Sequence, residues 1–218
     1  MFTIENDPET ELLLRIKEGE GLHQDFKYAI TDSKKIAKSL SAFANTDGGS
    51  LLIGVKDNGR IAGANPDEEY YMIESAATLY SQPRVDFDAV LWEVDGKQVL
   101  EIVIPKGDNP PYKAKDPSGK FLTYVRVKDE NILADRVIVK WMENKKNGRN
   151  TIISYSRKQE FVMQYIEEKG RICVEEVSKY LQLSKFDAEE VLIELASAGI
   201  IEPDFGCKTN IYYIATAQ

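Results

Sequence analysis

Residues 41–63, SAFANTDGGSLLIGVKDNGRIAG, decide how the rest of the chain is read. An apolar helical stretch breaks on Asn45-Thr46-Asp47-Gly48-Gly49, runs into residues 50–55, apolar at nearly every position, and turns at Asp57-Asn58-Gly59. Glycine serves where the backbone takes a positive φ or where a neighbour comes too close for a Cβ, so Gly48-Gly49 marks a specialised turn. A strand without polar alternation is covered on both faces and lies inside its sheet. Asp57 then stands at the mouth of a strand.

Outward from this stretch, Leu12, Leu13 and Ile16 give residues 8–18 the spacing of a short amphipathic helix, with Pro8 in its first turn and Gly19 at its end. Leu22, Gln24 and Phe26 alternate with His23, Asp25 and Lys27, the pattern of a half-buried strand. Asp32-Ser33 is an N-cap signal for a helix over 34–45, whose apolar set Ile36, Ala37, Leu40, Phe43 and Ala44 leaves Lys34, Lys35 and Lys38 outside. Residues 66–81 read as a further helix, and 85–93 with 97–105 as a hairpin turning on Asp95-Gly96. Strands follow around Lys113 and at 121–127, separated by Asp116-Pro117-Ser118-Gly119, and a closing helix is expected at 135–143.

NKKNGRN, residues 144–150, is polar and aperiodic, a linker by composition. Beyond it, three helical patterns (156–169, 173–181 and 186–198) precede Ile200-Ile201 and Ile211-Tyr212-Tyr213-Ile214 around a turn at Gly206. Three helices and a small hairpin in this order look like a winged helix. The expected organisation is a first domain over 1–143, a linker over 144–150 and a winged helix-turn-helix domain over 151–218.

A chain of 218 residues with 43% hydrophobic content is long enough for two cores. Its formal charge of −8 excludes a protein that coats nucleic acid over its whole surface, so any such site must be local. No apolar run is long enough to cross a bilayer, and residues 1–7 lack the basic and apolar regions of a signal peptide, so a cytoplasmic location away from membranes is expected. Cys173 and Cys207 form no metal-binding spacing and read as reduced thiols. Neither a phosphate-cradling GxxxxGK[ST] loop nor a G-x-S-x-G nucleophile turn occurs.

With Glu20-Gly21-Leu22-His23-Gln24-Asp25-Phe26-Lys27 upstream, and Pro111-Tyr112-Lys113 and Tyr124-Val125-Arg126-Val127 downstream, the stretch 41–63 resembles the Schlafen-type AlbA domain. That family includes bacterial proteins described as transcriptional regulators and the nuclease core of animal Schlafen proteins. The resemblance covers roughly the first two thirds of the chain and implies an α+β fold, a mixed sheet with packed helices, followed here by the small winged-helix domain. It also implies that Glu20, Asp25 and Asp57 match the acidic triad with which nuclease members hold a divalent metal, Asp25 standing where Glu is usual. Hard cations such as Mg²⁺ or Mn²⁺ take oxygen ligands of this kind. On a straight strand Glu20 and Asp25 fall on opposite faces, unless the glycines flanking Glu20 fold it back.

His23, the single histidine, shares its strand face with Asp25 and Lys27 and is a secondary candidate as ligand or base, although a half-exposed strand residue is the plainer reading. Lys27, Lys34, Lys35, Lys38, Lys56, Arg60, Lys113 and Arg126 form the expected nucleic-acid-binding set, with Lys106, Lys115 and Lys128 nearby and Tyr112 and Tyr124 as stacking surfaces. The third helix of the second domain carries Asp187, Glu189, Glu190 and Glu194, and residues 151–218 hold seven Lys and Arg against eleven Asp and Glu. Such a helix repels phosphate, which favours a protein partner there, with Lys145, Lys146, Arg149 and Lys208 as peripheral phosphate contacts.

Three readings follow. The first is a bacterial nucleic-acid-associated regulator binding DNA or RNA phosphates through a local basic groove, as a homodimer because family nuclease cores pair two such domains. The second is a Mg²⁺- or Mn²⁺-dependent endoribonuclease using Glu20, Asp25 and Asp57. The third is an assembly module docking a protein partner through its winged helix.

Overall fold

The computed structural model describes residues 8–146, 156–205 and 212–215. The chain divides into two units, residues 1–108 with 112–132, and residues 133–218 with 109–111. In the first unit, α1 (Pro8–Glu18) leads to β1 (Gln24–Lys27), α2 (Ser33–Asn45) and β2 (Gly49–Ile53). Then come α3 (Pro66–Leu79), β3 (Ser81–Gln82), β4 (Asp88–Val94), β5 (Lys97–Ile104), β6 (Lys113–Lys115), β7 (Phe121–Val127) and β8 (Glu130–Leu133). The architecture is α+β, as the sequence reading expects.

One sheet has the order β1-β2-β5-β4, with β1 and β2 parallel and the remaining pairs antiparallel. Helix α2 makes the crossover that a parallel pair requires. Central β2 is covered on both faces: Leu51 and Ile53 join Leu40, Phe43, Ile73 and Ile102 on one side, and Leu52 joins Leu12, Ile16 and Phe26 on the other. The β4–β5 hairpin turns on Asp95 and Gly96 at φ 50° and 70°, the positive pair that a two-residue turn demands. On the α1 side, Arg15 holds Glu101 of β5 through bonds of 2.6 and 3.2 Å.

The second sheet has the order β3-β6-β7-β8, and α2 lies against its β6 and β7. β3 and β8 have no counterpart in the sequence reading, being two and four residues long with little periodicity to read. The break after α2 joins the two sheets. Asn45 Nδ2 donates to the carbonyls of Tyr112 and Tyr124 at 2.7 and 2.8 Å, while its Oδ1 accepts from Tyr112 N at 2.7 Å. Thr46 Oγ1 accepts from Arg126 N at 2.9 Å. Gly48 has φ 75°, and a Cβ there would lie 2.7 Å from the Ile104 carbonyl oxygen; one on Gly49 would lie 2.5 Å from the Phe43 ring. Both glycines are therefore required by close approach.

The second unit contains α4 (Arg136–Lys146), α5 (Arg157–Lys169), α6 (Val174–Leu181), α7 (Lys185–Ser197), β9 (Ile201–Asp204) and β10 (Tyr212–Ala215). Strands β9 and β10 pair antiparallel, and Ile172, just before α6, bridges Tyr213. Helix α4 corrects the sequence reading. It is the expected 135–143 helix, but it runs through Lys146 into the expected linker and packs on α7. Its buried face is Val137, Ile138 and Met142, so the units separate after Ile132. Arg149, Gly206, Cys207 and Lys208 lie outside the described residues.

Replacing Asn45 by Ala strands three buried backbone groups at about 1 kcal/mol or more each, so urea unfolding should show a loss of about 3 kcal/mol. A loss below about 1 kcal/mol would mean that Asn45 does not hold the sheets together.

Candidate functional site

The acidic motif surrounds a buried arginine. Arg126, on β7, is 1% exposed. Its Nε donates to the Gly21 carbonyl at 3.0 Å, Nη1 to Asn131 Oδ1 at 3.1 Å, and Nη2 to the Gln24 carbonyl at 3.2 Å and Asp25 Oδ1 at 3.3 Å. The guanidinium stacks on Phe43, 4.9 Å from the ring centroid. Asp25, 4% exposed, offers its second oxygen to Lys27 Nζ at 2.7 Å. A buried carboxylate held by two cations is electrostatically complete.

The glycines fold Glu20 back. Gly19 takes φ 84°, Gly21 N donates to Gln24 O at 2.8 Å, and Glu20 Oε1 accepts from Phe26 N at 2.9 Å. This brings the Glu20 carboxyl beside Asp25. Burial first, then the hydrogen bond and charge of Asp25, push the Glu20 carboxyl above the ordinary carboxylate range, while Phe26 N–H and Lys27 oppose them.

Asp57 does not join this pair. It is exposed in the turn closed by Gly59 N to Lys56 O at 2.7 Å and Lys56 N to Arg60 O at 3.0 Å. Among the described residues no three His, Cys, Asp or Glu side chains gather as a metal centre. The triad expected to hold Mg²⁺ or Mn²⁺ is thus two neighbouring carboxyls, one committed to Arg126 and Lys27, and a third apart. These residues do not fit a shared divalent cation. His23 is exposed and contributes its backbone carbonyl to Ser50 N at 2.9 Å.

The basic set separates in the same way. Arg126 is enclosed with all its donors directed inward, and Lys27 is paired with Asp25, so neither is free to meet phosphate. Lys34, Lys35 and Lys38 are exposed on α2. Lys34 Nζ lies 5.7 Å from the Tyr80 ring centroid and Lys38 Nζ 4.7 Å from that of Tyr124. Tyr80 accepts through its carbonyl from Lys115 N at 2.8 Å, and Lys115 Nζ stands 5.9 Å from the Phe121 centroid. Lys113 lies two residues along β6. Cations and rings therefore form one strip from α2 across β6 and β7. Lys56, 5.3 Å from the Tyr28 centroid, and Arg60 sit apart in the turn after β2. Tyr112 and Tyr124 are 6% and 8% exposed, and Tyr112 fills the space above Gly107, so neither expected stacking surface is open. Tyr80 and Phe121 escape the sequence reading, because no local pattern shows which ring a lysine will reach.

The Schlafen, AlbA_2 family model matches residues 20–135, a little over half of the chain, from the folded-back Glu20 to the start of α4. The chain belongs to this family. No curated protein matches it. Two of the solved structures similar to it show the range. The N-terminal domain of a RecG-related protein from Nitrosomonas europaea is 24% identical and covers 60% of this chain and 97% of that one, with a TM-score of 0.42. A Corynebacterium diphtheriae protein is 19% identical over 75% of this chain, with a TM-score of 0.44; the chain spans 41% of that protein's length.

In this AlbA_2 domain the raised Glu20 sets a sign. The folded state holds the Glu20 proton more tightly than the unfolded chain, so ionising it opposes folding, increasingly as pH rises above the unfolded value. Glu20→Gln, which keeps an acceptor for Phe26 N, should raise the urea midpoint at pH 7 relative to the parent and leave it nearly unchanged at pH 3; a lowered midpoint at pH 7 would show the carboxylate to be stabilising. Arg126→Met leaves Asp25 short of a partner and should cost about 3–5 kcal/mol, measured in the same way; a cost under about 1 kcal/mol would remove Arg126 from its central place.

Proposed function

We propose that this chain is a nucleic-acid-binding protein of regulatory type, holding phosphates and stacking bases along the α2–β6–β7 strip. The observation that carries the reading is the seating of lysines on aromatic rings in an otherwise acidic chain: the exposed Lys34 on Tyr80 and Lys38 on Tyr124, and the half-buried Lys115 on Phe121. A lysine beside an open ring, as Lys115 beside Phe121, presents a phosphate partner and a stacking surface together, the combination that single-stranded nucleic acid uses, while the buried Tyr124 ring holds Lys38 in place for phosphate. A net charge of −8 over the whole chain confines binding to such a strip.

A winged helix is the reading that best accommodates the second unit, with three helices, a β9–β10 hairpin and the Ile172–Tyr213 bridge. Its α7 carboxylates serve the fold: Glu189 and Glu190 pair with Arg136 of α4, and Glu194 accepts from Gln159 of α5. Helix α7 is thereby tied to its neighbours, and a protein partner suits this unit better than a DNA groove.

Lys34→Ala with Lys38→Ala should weaken binding of a single-stranded oligonucleotide and reduce the slope of log K against log salt by about 1.4, about 0.7 for each phosphate that no longer meets a lysine. Fluorescence anisotropy over a salt series reads both. Unchanged affinity and slope would refute the strip.

A further inference from the structure

A cavity of about 540 Å³ opens in the first unit between the end of β1, the start of α3 and the β4–β5 turn, away from the acidic motif. Among its lining residues are Tyr28, Gly63, Ala64, Asn65, Glu69 and Lys97. Its volume falls within the range of small-ligand sites, and its small residues leave room for a flat ring.

Glu69 is the unusual member. It is 7% exposed, and its Oε2 accepts from Ile30 N at 2.9 Å, whereas Oε1 receives no hydrogen bond among the described residues. Burial, with a contribution from Glu68, pushes its carboxyl up against the opposing Ile30 N–H. Oε1 is not among the buried atoms without a partner, so it opens onto the cavity, where a carboxylate oxygen is the kind of group a donor-bearing ligand meets.

The charges around it select that ligand. Glu69 lines the cavity together with the exposed Glu93 and Lys97, and Lys97 Nζ donates to the Ile61 carbonyl at 3.0 Å. Two carboxylates against one ammonium favour a ligand that brings N–H donors over a free phosphate. Asn65, at the start of α3, makes no capping bond with its side chain and is free to read a second polar edge. At the mouth Tyr28 is 61% exposed and carries Lys56 near its ring, a stacking face with a phosphate partner beside it.

We infer that this cavity receives an unpaired nucleobase, guanine by preference. Guanine presents N1–H and its amino group side by side, matching the two oxygens of Glu69: Oε1 is open, and Oε2 keeps a second lone pair beyond the Ile30 bond. The base stacks on Tyr28 as it enters, and its phosphate stays outside with Lys56. The inference rests on the nucleic-acid reading above and adds base recognition to a strip that reads only phosphate and ring.

The test is calorimetric titration of the full chain with guanosine, cytidine and uridine monophosphates and with inorganic phosphate. Guanosine monophosphate should bind about tenfold more tightly than uridine monophosphate, a difference that Glu69→Gln abolishes. Tyr28→Ala, at an exposed position that leaves folding intact, should weaken every monophosphate by about tenfold. The Lys34→Ala, Lys38→Ala chain should bind monophosphates as the parent does. Inorganic phosphate binding as tightly as the nucleotides, no nucleotide binding at all, or a guanine preference that survives Glu69→Gln would each overturn the inference. Oligonucleotide binding without nucleotide binding defeats the cavity alone, and nucleotide binding without oligonucleotide binding defeats the strip alone.

Discussion

Burying an arginine is costly unless every donor is met, and Arg126 is met by groups that sequence places about a hundred residues away: the Gly21 and Gln24 carbonyls and the Asp25 carboxylate. That requirement fixes β7 against the turn that opens β1. Phe43 lies under the guanidinium, and Thr46 accepts from the Arg126 backbone, so the end of α2 is fixed by the same residue. Asn131, which accepts from Arg126, donates in turn to Ser39 of α2 at 2.9 Å. The fold of the first unit is arranged around one cation.

This arrangement gives the acidic motif its role. Asp25 balances Arg126 and Lys27 inside the protein, and Glu20 is folded over it with a carboxyl that resists ionisation. Carboxyls so engaged have little attraction left for a hard cation, which wants ionised, converging oxygens. The exposed lysines of α2 are under no such constraint. Lys34 and Lys38 lie one turn apart on the face opposite the core residues Ile36, Ala37 and Leu40, where rings from other elements come up beside them.

Much of this is legible in the sequence. The Asn-Thr-Asp-Gly-Gly break announces a special turn because glycine has a specific backbone use, and the apolar run after it announces a central strand. The α2 lysines read as outward from periodicity alone. Arg126 does not read correctly: an arginine in a strand looks like a surface cation, and its burial depends on acceptors from distant segments. Lys27 misleads for the same reason. Helix α4 is recognisable by its pattern yet reads as part of the wrong unit, since periodicity shows that a helix has an apolar face but not which core receives it. The α7 carboxylates look like a repulsive surface because their partners, Arg136 and Gln159, come from other helices. Glu69 carries no signal, its position in the first turn of α3 being ordinary for a glutamate.

Charge and aromatic surface are thus divided: Arg126 and Lys27 are taken up by the acidic motif, whereas Lys34, Lys38 and Lys115 stand beside rings along α2, β6 and β7. The most direct measurement is lysine acetylation footprinting by mass spectrometry on the full chain, with and without a single-stranded oligonucleotide. The account predicts protection concentrated at Lys34, Lys38, Lys113 and Lys115, with Lys17 and Lys140 labelled as before. Equal protection of all exposed lysines, or protection that leaves Lys34 and Lys38 fully reactive, would contradict it.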